Sequence, residues 1–130
     1  MAFKIRYSDV EGTPALEYIP ATTAETYKVG ETLVFGQSGT ATKASGTTVP
    51  TYICCANLTA VGGELVPVIR IQKHMVFTVP LQASGASLTL GSKVTVHSDG
   101  LQVTATTTGG IAEIVGIDGT AVGDTVAVRF

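Results

Sequence analysis

Two segments within residues 91–130 alternate apolar and polar side chains with a period of two, a pattern that suits a β-strand and no helix. Val94 and Val96 alternate with Lys93, Thr95 and His97. Asp99-Gly100 follows, and Leu101, Val103 and Ala105 then alternate with Gln102 and Thr104. Gly takes left-handed backbone angles without a Cβ clash and Asp tolerates them, so Asp-Gly suits a two-residue hairpin loop. With that loop, Ser98 is expected opposite Leu101, Val96 opposite Val103 and Val94 opposite Ala105, with the apolar residues on one face. His97, Gln102, Thr95 and Thr104 share the other. The sequence closes in the same way: Val126, Val128 and Phe130 alternate with Thr125, Ala127 and Arg129 after the turn-forming Gly123-Asp124.

Upstream, Phe3, Ile5 and Tyr7 alternate with Lys4 and Arg6, which predicts an opening strand. Residues 8–26 hold Pro14, Pro20, several Thr and isolated large residues such as Leu16, Tyr18 and Ile19, without sustained periodicity. They read as an extended arm, long enough at on the order of 80 Å to cross a neighbouring subunit, or as a loop folded over its own barrel. The body begins near Tyr27, where Val29-Gly30-Glu31-Thr32 leads into Leu33, Val34 and Phe35. Residues 36–48 suit a hairpin or loop, 51–56 a strand, and 57–63 a turn region with room for one helical turn. Leu65, Pro67, Ile69 and Ile71 share one face of a strand, and Met75, Phe77, Val79 and Leu81 one face of the next, with Gln72-Lys73 between them. Pro67 and Pro80 have no amide hydrogen, which places each at an edge, a bulge or a strand end. No stretch sustains a three-turn helix. Roughly seven to nine short strands predict an all-β fold: a small antiparallel β-barrel or β-sandwich at 27–130, with a strand and extended arm at 1–26.

A chain of 130 residues fits one domain. It is 45% hydrophobic and 14% charged, too apolar for disorder, which leaves a surface of Thr, Ser, Gly and Ala. Such a surface is easily desolvated and suits coverage by neighbouring subunits. A net charge of −2, with eight Lys and Arg scattered along the sequence, argues against direct nucleic-acid binding. No apolar run nears the roughly 20 residues of a membrane helix. The first residues lack the apolar stretch of a secretory signal, so the expected site of folding is the cytoplasm.

The chemical candidates are sparse. Adjacent strand residues point to opposite faces, so the thiols of Cys54 and Cys55 should diverge, one into the core, rather than share a metal. His74 and His97 have no Cys, Asp or Glu at a ligand spacing, and no nucleophile elbow is present. The spacing from Gly85 through Gly91 to Lys93 fails as a phosphate loop, and Asp118-Gly119-Thr120 reads as a turn. Asn57-Leu58-Thr59 matches the glycosylation pattern but is expected to be unused without a secretory signal. No catalytic, cofactor or metal residue is expected, and the chain is read as a non-enzyme.

Three stretches carry a resemblance: Tyr27-Lys28-Val29-Gly30-Glu31-Thr32-Leu33-Val34; Leu90-Gly91-Ser92-Lys93-Val94-Thr95-Val96 with Asp99-Gly100-Leu101; and Ala121-Val122-Gly123-Asp124-Thr125-Val126-Ala127-Val128-Arg129-Phe130. Their order resembles the small head decoration, or cement, proteins of tailed bacteriophages, of β-barrel or β-tulip-like type. The resemblance implies a structural virion protein on the capsid exterior, made in the host cytoplasm, with the major capsid protein as partner and a homotrimer as the favoured oligomer. In such families an N-terminal arm commonly contacts the lattice. Here Phe3, Lys4, Ile5, Arg6 and Tyr7 are the expected contacts, with Phe3, Ile5 and Tyr7 as anchors of an added strand. Lys4 and Arg6 would meet acidic capsid groups or form a solvated face. The alternatives are a tail or neck subunit and a glycan-binding β module. An aromatic content of 6% and the lack of Trp weigh against the glycan module.

Overall fold

The computed structural model describes residues 2–8 and 15–130, without the side chains of Tyr7 and Ser8. The Tyr7 anchor and the Pro14 part of the arm therefore lie outside the described residues. Among the described residues there are twelve strands and no helix. They are β1 (Lys4–Ser8), β2 (Leu16–Pro20), β3 (Thr26–Tyr27), β4 (Thr32–Phe35), β5 (Ala41–Lys43), β6 (Tyr52–Cys54), β7 (Leu58–Thr59), β8 (Leu65–Arg70), β9 (Met75–Pro80), β10 (Lys93–Val94), β11 (Ala112–Ile117) and β12 (Thr125–Arg129). There are two five-stranded sheets, ordered β1-β9-β12-β11-β10 and β2-β8-β6-β4-β5, and a two-stranded ribbon β3-β7 whose Tyr27 and Leu58 pack with the second sheet's apolar residues. The fold is all-β, with every strand ladder antiparallel.

Isolated bridges close both sheets. In the first, Val103 pairs with Val96 on one side and with Leu81 on the other, linking the continuation of β10 to that of β9. In the second, Ala21 beyond β2 bridges Ala41 of β5. Closure removes most of the unpaired edge that a sheet would present to another chain.

Each ring has its own apolar cluster. The first takes Met75, Phe77, Val79 and Leu81, the face read from the sequence, together with Val126 and Val128 of β12. The second holds Tyr27, Leu33, Tyr52, Cys54, Val66 and Val68. Strands β6 and β8 serve both: Ile53 and Ile69 point into the first cluster, while their neighbours Tyr52, Cys54, Val66 and Val68 point into the second. Strand alternation thus makes these two strands a common wall. It also separates the thiols as expected, with Cys54 in the second cluster and Cys55 packed against the first.

The 94–105 segment keeps the expected Val96–Val103 pairing but not the two-residue loop. The Gly100 N–H donates to the His97 carbonyl and the His97 N–H to the Gln102 carbonyl, so Asp99 and Gly100 finish a four-residue turn. Asp99 stabilises this wider turn by accepting the Leu101 N–H at 2.8 Å. Further along, the Thr104 N–H donates to the Thr95 carbonyl while the Thr95 N–H donates to Thr106, a bulge that ends the pairing. Val94 pairs with Ala112 of β11 rather than lying opposite Ala105.

The described part of the expected arm is built into the body. Strand β1 pairs with β9, β2 pairs with β8 along its whole length, and β3 pairs with β7 where a helical turn had room. A boundary at Tyr27 would therefore part β2 from its partner. Tyr27 itself is fully buried, its hydroxyl donating to the Ala41 carbonyl at 2.7 Å and accepting the Thr22 N–H at 2.8 Å. Pro80 ends β9 as expected, whereas Pro67 sits within β8, between β2 and β6. A strand residue's nitrogen and carbonyl face the same neighbour, and the Pro67 carbonyl accepts from Cys55 just past β6. The missing donor falls where the β6 ladder has stopped.

Candidate interaction surfaces

The N-terminal contacts divide sharply in the fold. Phe3 is only 3% exposed and belongs to the first cluster. Its ring lies 6.4 Å from that of Phe77 and 5.7 Å from that of Phe130, and its N–H donates to the Gly30 carbonyl. Its side chain is not presented to a partner. Ile5 packs partly buried against the same cluster, while Lys4 and Arg6 are exposed. Arg6 reaches Asp118 at 3.4 Å, so this cation already has a carboxylate. The β1–β9 register also slips between Ile5 and Tyr7, leaving Arg6 as a bulge. A bulge that carries a charged residue is a common guard against pairing with another chain, and Lys4 adds a second charge nearby. It works against strand addition along this edge.

A different surface is apolar and open. On β2 and β8 the cross-strand pairs Tyr18–Pro67 and Pro20–Leu65 share the outward face, next to Leu16–Ile69. Leu16 is 52% exposed, Tyr18 60% and Leu65 54%. Glu17 and Ile19 point the other way, and Glu17 is held by Arg70 at 2.8 Å, a hydrogen-bonded pair that keeps its carboxyl below the usual range. Part of this face was visible in the grouping of Leu65 with Pro67 and Ile69. Its β2 half gave no signal, because apolar residues face outward there, while the opposite side combines the buried Ile19 with Glu17, which lies at the surface against Arg70.

The reactive groups are confined to structural surroundings. Burial pushes the Cys54 thiol up to about 11 and also raises Cys55, which disfavours the nucleophilic thiolate at neutral pH. Among the described residues, no three His, Cys, Asp or Glu side chains are grouped to hold a metal. Asp118-Gly119-Thr120 lies in the β11–β12 connection, where Asp118 also accepts from the Thr125 hydroxyl at 3.2 Å. Gly85 bonds to the Thr120 carbonyl, so the Gly85 stretch packs against this connection. Asn57 accepts the Val29 N–H at 3.0 Å.

Two further features escaped the sequence. Glu31 is 2% exposed, with the Lys43 ammonium 3.9 Å away, and burial raises its carboxyl to about 7. Lys73, Lys93 and Arg129, distant in sequence, line one depression. The chain matches no known protein-family model, no curated protein and no solved structure.

Proposed function

We propose that this chain is a structural decoration protein that attaches to the outer surface of a tailed-phage capsid and reinforces it by bridging capsomers. Attachment runs through the outward face of β2 and β8, with Leu16, Tyr18 and Leu65 as its anchors, in place of strand addition by residues 3–7. The observation that carries this reading is that apolar face, displayed on closed β-rings. Isolated exposed apolar residues are ordinary, but a contiguous group marks a surface that another protein covers. Reinforcement follows from repetition, because many modest contacts on a symmetric shell sum to a large barrier against its opening. A homotrimer is the favoured state on the capsid. The glycan-binding alternative loses support, since Tyr27 and Tyr52, two of the four tyrosines it would need, are buried.

Capsids assembled without this protein supply the test. The triple variant Leu16→Asp, Tyr18→Asp, Leu65→Asp should keep its melting temperature within a few degrees and lose co-sedimentation with those capsids. Normal capsid occupancy by the folded variant would refute attachment through this face, and failure of the unsubstituted protein to bind any phage capsid would refute the function.

A further inference from the structure

Lys73 lies in the turn between β8 and β9, Lys93 opens β10 and Arg129 ends β12, yet all three border one depression of about 370 Å³. A second hollow of about 290 Å³ adjoins it, because Lys73 and Phe130 line both. Part of the lining of this groove is apolar. Ile71, Ile111 and Phe130 rest partly buried against the first cluster, and Val49 at the far end is largely exposed.

The rim is unevenly charged. Arg129 is matched by Glu113, its Nε 2.7 Å from Oε1 across the β11–β12 ladder. Lys93 sits directly across the β10–β11 ladder from that same Glu113, and among the described residues neither it nor Lys73 has an ion pair within 4.0 Å, so three cations share one carboxylate around the depression. In a chain of net charge −2, the groove thus carries local positive charge beside the apolar part of its lining.

We propose that this groove binds an extended acidic peptide segment of a partner protein, one that alternates carboxylates with apolar side chains. Alternation puts every second side chain on the same side of an extended strand. One set meets Lys73 and Lys93 while the other lies on Ile71, Ile111 and Phe130. A nucleic acid fits less well: so small a cluster of cations neutralises few phosphates, and phosphodiester has no use for the apolar part of the lining. The groove shares no residue with the β2–β8 face, so the inference stands apart from the capsid reading.

The test is fluorescence anisotropy on the full chain, with a labelled ten-residue peptide of alternating Glu and Leu. Three comparison probes are alternating Lys and Leu, alternating Glu and Ser, and a ten-nucleotide oligothymidine. The Glu/Leu peptide should bind best and weaken as salt rises. The double variant Lys73→Gln, Lys93→Gln, which removes both charges without setting a second carboxylate opposite Glu113, should lose at least tenfold in affinity at a melting temperature within a few degrees of the unsubstituted protein. No saturable binding of the Glu/Leu peptide, equal binding of the Glu/Ser or Lys/Leu peptide, tighter binding of the oligonucleotide, or indifference to the charge removal would each overturn the proposal.

Discussion

Glu31 lies under the 97–102 turn, where a Cβ on Gly100 would come within 3.0 Å of its Cγ and the Thr32 N–H donates to the Gly100 carbonyl. Burial raises its carboxyl to about 7; Lys43 and Lys28 oppose the rise, while Glu25 and Asp99 add to it. The unfolded chain loses this proton near the ordinary value of 4.5, so between there and about 7 only the folded state holds it. Stability should therefore fall as pH rises through that window and level off above it. Glu17 and Glu64, whose carboxyls are lowered, act below this window, where their contribution is lost as pH falls. Glu31→Gln should flatten the slope and add on the order of 1–3 kcal/mol at pH 8. Urea melts of both proteins at pH 5 and pH 8 measure it, and equal stability of the unsubstituted protein at the two pH values would contradict it. The divergence of Cys54 and Cys55 was legible because alternation alone decides it. The burial of Glu31 was not, because the glycine that passes over it is 69 residues further along the chain, and no local pattern signals that approach.

Among the elements, β9 and β12 were readable because their inward faces are apolar throughout and the register of one supports that of the other. Strand β2 was unreadable for the opposite reason: Leu16, Tyr18 and Pro20 face outward, so the expected contrast between faces is inverted. The 97–102 turn shows a finer limit, since Asp-Gly announces a turn but not which turn positions it fills. A close approach that the sequence also conceals lies between β10 and β11, where a Cβ on Gly110 would collide with the Lys93 backbone carbonyl. Backbone cannot swing aside as a flexible side chain can, so Gly110→Ala should destabilise by about 2 kcal/mol or more. Thermal melts decide this, and an unchanged melting temperature would mean that the β10–β11 connection relaxes freely.

At the scale of the whole molecule, the shared wall of β6 and β8 ties the two clusters together, and β1 adds the Phe3 ring to the first. Removing residues 1–7 should thus weaken the fold itself rather than detach an accessory arm. Phe3→Ala, which empties a site 3% exposed, is expected to cost about 3–5 kcal/mol. Calorimetry should show a single transition at a lower temperature, whereas a truncated protein that melts like the full chain would make β1 peripheral. The all-β class and a barrel or sandwich could be read from strand spacing and period, but which residues close the sheets could not, because closure depends on bridges of single residues such as Val103. Strands β1 and β12 flank β9 and both run antiparallel to it, which has a practical corollary. The chain enters β1 near the Pro80 end of β9 and leaves β12 near the Met75 end, so a tag, linker or cargo domain joined after Phe130 would sit beside the cationic groove. Moving that fusion to the start of the sequence would carry it to the opposite end of the sheet and relieve crowding at the groove.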